Sequence, residues 1–456
     1  MTFLGLPRRV ALTYAALFAA ACVVYGSLWR HAPVVEGDSP QYLAVAADLA
    51  DGRLDTLHDR TIGYPVLLAL TGSTHAPTRL LLYASLLLHF VSVWCLGALL
   101  HASGAGVRWM LLLAALLWLP MYVEPAGMVM TEILGQAAVV TGLAGVLLWI
   151  WGGPRVLLGL GVLGLTWAAL TRPAFQALPL AFAVTLLAFG STGRLVRLRR
   201  AAVTAGVLVV GTGLLLASYA VFNAQRFGFF GVAFSTGFHL TTKTMYLFER
   251  LPDEHAVVRE ILIAERDVQL TERGGTHTGT QTIWSVREAL EEATGLSRPE
   301  LSRHLLALNL LLIRRAPLEY LQEVARAGAV YWFPTFSPLA TFDAGALRWA
   351  WAATHAALVL LFALQLTAIA GWLLLRRAVL PRHRQPALPR RLANPRQGLA
   401  YVLGVLVVFY TMALTCAIDI GEPRQRRATD AVFVFVCVLG LDAWRRVRAG
   451  ELREDA

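Results

Sequence analysis

Long apolar runs recur along this chain of 456 residues, and they constrain its fold more than any other feature. Runs of about 18 residues or more are typical of helices that cross a membrane. The composition agrees, because 57% of the residues are hydrophobic and 15% are charged. Soluble globular proteins average about 45–50% apolar residues and about 25% charged residues. The sequence therefore predicts an all-α polytopic membrane protein.

The apolar runs predict ten membrane spans. We expect them at residues 10–27, 78–101, 109–123, 128–151, 155–171, 174–190, 201–222, 347–375, 399–418 and 428–444. A further apolar stretch at 327–342 contains Pro334 and Pro338, which disfavour a continuous helix. We interpret this stretch as an interfacial or re-entrant segment.

The distribution of charge predicts the orientation of the chain. The formal net charge is +11, and arginines are concentrated in short loops at 193–200 and 376–391. Such loops face the cytoplasm under the positive-inside rule. Ten spans then place both termini on the cytoplasmic side of the membrane. Because the arginines follow the membrane topology, the net charge does not indicate a nucleic-acid partner.

Two long segments fall on the outer side of this topology. One is residues 28–77, between the first two spans, and the other is residues 223–346, which carries amphipathic helical patterns. Residues 297–300 show the Ser-x-x-Glu spacing of a capping box at a helix start. We predict an N-terminal transmembrane module at 1–222, a helical outer cap at 223–346 and C-terminal transmembrane helices at 347–456.

The first outer loop is rich in carboxylates. Asp38 precedes the amphipathic stretch 39–52, which is predicted to lie as a helix along the membrane surface. Two roles are open for Asp38: it caps this helix, or it acts as a general base towards an incoming hydroxyl. Glu36 and Tyr42 are neighbouring candidates for a polar site. The other carboxylates of the loop are predicted to form a solvated face: Asp48, Asp51, Asp55 and Asp59.

Four more polar residues stand next to apolar runs. His58 and Arg60 precede the run at 63–70, and either contacts a phosphate or faces solvent. Glu132 lies inside an apolar span, where a carboxylate is costly and usually faces a cavity or the interior of a helix bundle. A functional role and a structural role are both open for it. Glu124 is predicted to be interfacial.

Several cations fall on the outer side, against the positive-inside trend. Arg172 lies between two spans, and Arg424, Arg426 and Arg427 lie in the last outer loop. Such a cluster either binds an anionic partner such as a lipid phosphate, or extends towards ordinary headgroups. Lys243 is the single lysine of the chain, which marks it as a candidate site residue unless its position is fortuitous.

These motifs together resemble a known family. The first outer loop contains "DSPQYLAVAADLADG" and "RTIGYPVLLAL", and later segments contain "TE", "LTRPAF", "IRRAPLEYL" and "EPR". In this order they resemble the GT-C membrane glycosyltransferases, in particular the bacterial relatives of protein O-mannosyltransferases and lipid A aminoarabinose transferases. The resemblance extends over about residues 10–444 and is most specific in the first loop. It implies a GT-C-like bundle of about ten transmembrane helices in a bacterial inner membrane.

The resemblance also implies an activity. Such enzymes transfer a hexose or a pentose from a polyprenyl-phosphate-linked donor to an extracytoplasmic hydroxyl of a lipid, glycan or protein. Asp38 corresponds to the catalytic base of the family. The donor phosphate is expected to be bound by Arg424 and Arg172, with Arg60 and Lys243 as further candidates. The bilayer, the lipid-linked donor and the acceptor are the expected partners.

The chain departs from the family pattern at two places. The family often carries Asp-Glu where this chain has Asp38–Ser39, with Glu36 two residues earlier, so the second acid is unassigned. Relatives often show Arg-Tyr where this chain has Arg424–Gln425. No Asp-x-Asp occurs in the outer loops, so we expect a metal-independent reaction without a cofactor.

Two other functions remain open. A lipid-linked sugar flippase or polysaccharide transporter would also have many spans and outer arginines, and a scaffold could keep this fold without activity. Transporters often show related halves. The sequence shows no internal repeat, and its polar residues fall on one side of the predicted topology. This favours an enzyme.

Overall fold

The structure is a computed structural model, and it describes residues 2–3, 5–29, 33–57, 60–191, 198–272, 279–335, 345–379 and 394–449. Its helices up to the outer segment are α1 (Arg8–Leu28), α2 (Ser39–Ala50), α3 (Gly63–Leu70), α4 (Arg79–Ala102), α5 (Val107–Leu117), α6 (Pro120–Val123), α7 (Glu132–Ile150), α8 (Arg155–Thr171), α9 (Leu178–Ser191) and α10 (Leu198–Phe227). The remaining helices are α11 (Thr236–Thr244), α12 (Ala256–Glu272), α13 (Gly279–Ser285), α14 (Arg287–Thr294), α15 (Arg298–Arg315), α16 (Pro317–Tyr331), α17 (Gly345–Val379), α18 (Pro395–Ile418) and α19 (Pro423–Ala449). Strands β1 (Thr2–Phe3) and β2 (Leu6–Pro7) pair antiparallel at the N-terminus.

Six of the described helices are long and apolar enough to cross a membrane. They are α1, α4, α7, α10, α17 over Gly345–Gly371, and α18. A seventh span results if α5 is counted together with the segment Pro120–Gly127, although the two are bent by 70°. The chain is thus an all-α polytopic membrane protein, as the sequence predicts.

The predicted number of ten spans is not confirmed. Helices do form at the other expected positions, but the apolar helices Arg155–Thr171 and Pro173–Phe189 are shorter than a full span. Helix α19 is long enough, but arginines occupy both of its ends. Hydropathy identified these segments as apolar. As folded helices, however, two of them are too short to cross a membrane, and the third carries arginines at both ends.

The described chain divides into two compact units. Unit 1 comprises Met1–Leu215, Pro334–Phe409 and Arg427–Ala456, and unit 2 comprises Leu216–Phe333 and Tyr410–Arg426. In unit 1, α7 is the most enclosed of the apolar spans and packs against α4 and α8. Gly145 allows the close contact with α8, because a Cβ there would lie 2.5 Å from the carbonyl oxygen of Leu157. Small residues of this kind are the usual means of close packing between membrane helices.

Unit 2 contains the helices α11 to α16 and a hydrophobic core of its own. Its centre includes Phe238 of α11, Phe248, and Leu301 and Leu305 of α15, all of them buried. The predicted capping box at residues 297–300 is present at the start of α15. Residues 223–346 are therefore mainly helical where the structure describes them, and their predicted place outside the membrane stays a prediction. Residues 336–342 of the expected interfacial stretch lie outside the described residues.

Candidate functional site

Backbone contacts anchor the start of the first loop to the segment before α7. Val34 and Met128 form a parallel β-bridge, and the amide of Val34 donates to the carbonyl of Gly127. The buried hydroxyl of Ser39 accepts the amide hydrogen of Glu36 and lies 2.8 Å from the carbonyl oxygen of Val129. Asp38 is therefore preceded and followed by residues that contact the segment before α7. The hydroxyl of Ser39 is therefore engaged in structural contacts.

Asp38 occupies the N-cap position of α2, but its carboxylate does not cap the helix. The residue is in the αR region, with φ −75° and ψ −11°, and its side chain makes no capping hydrogen bond. Instead, Oδ1 accepts a hydrogen bond of 2.7 Å from Nη2 of Arg60. The side chain is 41% exposed, and no described residue donates to Oδ2. One carboxylate oxygen is therefore held while the other is accessible from solvent.

Arg60 orients this carboxylate through several contacts. Its Nε donates to the side-chain oxygen of Gln41, and its guanidinium lies 4.9 Å from the centre of the Tyr42 ring. Tyr42 is buried and packs edge-to-face against Tyr64 at a centroid distance of 5.3 Å. Burial raises the pKa of Tyr42, so its phenol stays protonated and neutral at physiological pH. Of the two roles predicted for Arg60, mere exposure to solvent does not fit these contacts.

A second carboxylate lies in the same unit, near Tyr42. Glu132 is the first residue of α7 and is 3% exposed, and its Oε1 lies 3.5 Å from Nη1 of Arg172. No described residue is a hydrogen-bond partner of its Oε2. Both Glu132 and Arg172 act electrostatically on Tyr42, as do Asp38 and Arg60. The charges of these four residues thus act on one buried phenol.

The close packing of α3 on α8 helps to bring these residues together. Gly63 begins α3, and a Cβ at this position would lie 2.7 Å from the carbonyl oxygen of Leu170. The hydroxyl of Thr61 donates to the carbonyl oxygen of Thr171, the last residue of α8. Arg172 follows immediately and points its cation at Glu132.

Three charged residues that the sequence placed near the ends of membrane spans are buried inside the protein. Glu124 was expected at an interface, yet it is fully buried in unit 1 and lies 3.2 Å from Nη2 of Arg427, which is 6% exposed. Arg426 is also buried, in unit 2, where it donates to the carbonyl oxygens of Tyr331 and Phe333. Arg426 and Arg427 are therefore engaged inside the protein and do not meet lipid headgroups.

The other predicted cations differ in their surroundings. Arg424 is 41% exposed and lies 3.8 Å from Glu422. Lys243, at the end of α11 in unit 2, is 5% exposed, and no described residue forms a hydrogen bond or ion pair with its amine. Arg424 and Lys243 belong to unit 2, whereas Asp38 and its neighbours belong to unit 1.

Sequence reasoning missed a polar cluster in unit 2. Asp419 follows α18, and its Oδ2 lies 3.4 Å from Nδ1 of His239 and accepts a hydrogen bond from Gln425. Its Oδ1 accepts the amide hydrogen of Ile420. Burial raises the pKa of Asp419, but the hydrogen bonds from His239 and its other donors outweigh it, and the pKa is lowered. An acid placed directly after an apolar run was the one signal in the sequence.

The remaining predictions concern the first loop. Glu36 contributes its backbone to the Ser39 contact, and its side chain has no hydrogen bond to a described residue. His58 lies outside the described residues. Two of the acids predicted to be solvated, Asp51 and Asp55, are exposed. Asp48 is partly buried and is bound by Arg53 and Thr56. Asp59 is not among the described residues.

No group of three or more His, Cys, Asp or Glu side chains in the described part of the chain is arranged to hold a metal ion. The metal-independent reaction stays a prediction.

Comparison with known proteins gives distant structural likenesses. No protein-family model and no curated protein matches the chain. Among solved structures, the archaeal oligosaccharyltransferase AglB from Archaeoglobus fulgidus, in complex with an inhibitory peptide and a dolichol-phosphate, aligns with a TM-score of 0.49 and 15% identity over 97% of this chain. The alignment covers 52% of AglB, so this chain spans about half the length of that protein.

ArnT from Cupriavidus metallidurans aligns in its apo state and bound to undecaprenyl phosphate, each with a TM-score of 0.36 over 96% of this chain and 79% of ArnT. The identities are 17% and 16%.

Proposed function

We propose that this chain is a membrane glycosyltransferase that moves a sugar from a polyprenyl-phosphate-linked donor to a hydroxyl group on the outer side of a bacterial inner membrane. The setting of Asp38 carries the proposal. A carboxylate that neither caps its helix nor lies fully exposed is held through one oxygen by Arg60, and its other oxygen is accessible. That is the arrangement a general base requires.

The chemistry follows from this arrangement. Oδ2 of Asp38 accepts the proton of the acceptor hydroxyl, whose oxygen forms a bond to the anomeric carbon of the sugar. The bond between that carbon and the phosphate oxygen breaks, and its electron pair stays on the phosphate. Cations stabilise the charge that develops there. The donor-phosphate contacts that the resemblance implies for Arg424 and Lys243 stay predictions from the sequence.

Arg60 and Arg172 have a different role in this proposal. Arg60 already contacts Asp38, and Arg172 already contacts Glu132, so each guanidinium orients a carboxylate in the first place. We assign Glu132 as the second acidic group that the sequence left unassigned, since it is buried and one of its oxygens is without a described partner. Tyr42 contributes a neutral phenol between the two pairs.

The experiment is a mass profile of envelope glycolipids and glycans from a strain that lacks the protein. The strain is complemented with the wild type, with Asp38→Asn, or with Asp51→Asn as a matched control, because Asp51 is an exposed carboxylate of the same loop. We expect one species to lose a sugar, and the wild type and Asp51→Asn to restore it. Loss of a positioned base lowers transfer by at least about a hundredfold, so Asp38→Asn should not restore it.

Two outcomes would contradict parts of the proposal. Restoration by Asp38→Asn at matched expression would keep the transferase and remove Asp38 as its base. A profile that does not change on deletion, under conditions where the wild-type protein is present in the membrane, would contradict transfer and favour a transporter or a scaffold.

A further inference from the structure

The ends of several membrane helices meet at one end of unit 1. Arg396, at the start of α18, donates to the carbonyl oxygens of Ala102 at 3.1 Å and of Trp151 at 3.5 Å. Ala102 is the last residue of α4, and Trp151 directly follows α7. Arg446, near the end of α19, donates to the carbonyl oxygen of Gly104, just beyond α4. Because α4, α7 and α18 are candidate spans, this end of the unit lies where spans leave the membrane.

Arginines complete the C-terminal ends of the helices here. The last carbonyl groups of a helix have no partner within the helix and carry a partial negative charge. Arg200, in the first turn of α10, donates to the carbonyl oxygen of Ile150 at 3.2 Å, and its guanidinium lies 5.3 Å from the centre of the Trp149 ring. A guanidinium has five N–H donors, and Arg200 gives one and Arg396 two to described residues. Both side chains are exposed, so their other donors can reach a ligand.

Almost no negative charge accompanies these cations. Eight arginines and one carboxylate occupy the described residues at this end, in the segments 103–109, 151–155, 198–200, 394–398 and 442–448. The carboxylate is Asp442, which is 1% exposed and already engaged, because its Oδ2 accepts from Gln397 at 2.7 Å and lies 3.0 Å from Nε of Arg446. We call the eight arginines the arginine face: Arg108, Arg155, Arg199, Arg200, Arg396, Arg445, Arg446 and Arg448.

Two cations of the arginine face are exposed beside the end of α7. Arg155 begins α8, four residues after Trp151, and Arg199 directly precedes Arg200 on α10. In the part of the chain that the structure describes, no hydrogen bond or ion pair engages the side chain of Arg155 or Arg199. Their whole donor capacity is therefore available to a ligand.

The tryptophans at this end add further donors. The indole N–H groups of Trp109 and Trp151 are buried, and neither has an acceptor among the described residues. A buried donor without an acceptor is costly. Guanidinium and indole groups donate hydrogen bonds and do not accept them, so a ligand here must be an acceptor with negative charge. A phosphodiester group meets both requirements.

The helices that start at these cations expose apolar side chains. The exposed ones on α8 include Val156, Leu160 and Leu163, and those on α10 include Val203, Val207 and Val210. Tryptophans are enriched where a membrane meets water, so the arginine face lies at the level of lipid headgroups. Apolar surface directly beyond the cations fits acyl chains, which a soluble phosphodiester and a nucleic acid both lack.

We infer that the arginine face binds an anionic phospholipid of the surrounding bilayer, such as phosphatidylglycerol. Arg155 and Arg199 contact its phosphodiester oxygens, Arg200 and Arg396 add charge and further donors, and the acyl chains lie along α8 and α10. Basic clusters at the ends of membrane helices attract anionic headgroups in this way. The sequence predicts that this end is cytoplasmic, on the opposite side from Asp38, so the inference does not depend on the proposed function.

The test measures lipid binding to the purified full-length protein in a neutral detergent by native mass spectrometry. The ligands are phosphatidylglycerol, phosphatidylcholine, whose choline cancels the phosphate charge, and glycerophosphoglycerol, which has no acyl chains. The variant carries Arg155→Gln together with Arg199→Gln, which leaves the contacts of Arg200 and Arg396 with the helix ends in place. The matched control removes the same charge from two exposed arginines of α15 in unit 2, by Arg303→Gln together with Arg314→Gln.

We expect the variant at Arg155 and Arg199 to raise the Kd for phosphatidylglycerol about 25-fold, which is about fivefold for each cation beside an anionic headgroup. Its Kd for phosphatidylcholine should not change, and the control should bind both lipids like the wild type. Arg155→Lys together with Arg199→Lys keeps both charges and should retain most of the affinity. Raising the salt from about 0.05 M to about 0.5 M should weaken binding of phosphatidylglycerol alone, because salt screens exposed charges.

Four results would overturn the inference. The first is an equal Kd of the glutamine variant and the wild type for phosphatidylglycerol. The second is equal weakening in the control, which would make net charge the cause. The third is glycerophosphoglycerol binding as tightly as the intact lipid, which would remove a membrane lipid as the ligand. If the glutamine variant does not fold, the salt series on the wild type decides, and an affinity for phosphatidylglycerol that does not depend on salt is the fourth.

Discussion

The buried ion pair between Glu124 and Arg427 makes a sharp prediction about stability. Its atoms lie 3.2 Å apart, and the side chains are 0% and 6% exposed. At this distance and an effective dielectric of about 20, the attraction is about 5 kcal/mol. Removing both charges from water costs several kcal/mol for each ion, so the intact pair contributes little net stability. Removing the carboxylate of Glu124, however, leaves the buried guanidinium of Arg427 without its counter-charge and should cost about 3–5 kcal/mol.

The two single substitutions should not be equivalent. Arg427→Met leaves a carboxylate that can take up a proton, whereas Glu124→Gln leaves a guanidinium that stays charged. We therefore expect Glu124→Gln to lower the free energy of unfolding more than Arg427→Met at neutral pH. The double variant, without either charge, should lie within about 1 kcal/mol of the wild type, because an apolar replacement of a buried pair is often neutral.

The assay is a double-mutant cycle on unfolding by SDS in mixed micelles. The control is Arg250→Met, which removes one partner of a pair at 2.6 Å whose side chains are both nearly half exposed. Exposed pairs contribute about 0–1 kcal/mol, so this change should be small. A cost below about 1 kcal/mol for both single substitutions at Glu124 and Arg427 would refute the reasoning that the pair is desolvated.

Three further predictions concern other contacts. Ser39→Ala should lower the free energy of unfolding by about 1–3 kcal/mol, because the Glu36 amide and the Val129 carbonyl lose a buried partner. Ser27→Ala, on the exposed surface of α1, should lower it little, and unfolding of both variants checks this. Gly421→Ala should destabilise unit 2 more than Gly228→Ala. Both glycines have a positive φ, but a Cβ at residue 421 would also lie 2.9 Å from the backbone of α16. Equal thermal unfolding midpoints of the two variants would contradict this. Folding lowers the pKa of Asp419, so its carboxylate stabilises the folded protein at pH values above the ordinary pKa of about 4. This stabilisation is lost as the pH falls through the lower pKa of the folded state. Asp419→Asn should therefore make the stability of the protein depend less on pH in this acidic range.

The local features of the chain were readable from its sequence. Hydropathy predicted that the fold is an all-α membrane protein, and the capping-box spacing predicted the start of α15. The pattern before α2 placed Asp38 at a helix start, and the single lysine drew attention to Lys243, which is buried without a described partner. Each of these properties depends on neighbours within a few turns of helix.

The pairing of charges could not be predicted in this way. Glu124 and Arg427 are 303 positions apart, and nothing in either local segment indicates the other. Whether Asp38 caps its helix or is held by Arg60 likewise depends on the turn that brings residue 60 back to residue 38.

The sequence by itself thus determined which segments are helical and apolar, because hydropathy and helix signals are sums over adjacent residues. Only the tertiary structure decided which carboxylate meets which cation, and which of the arginines at the start of α19 is covered. The same arginine is a surface cation or a buried ion-pair partner, depending on which distant segment packs over it. The residues next to it in the chain do not indicate which segment that is.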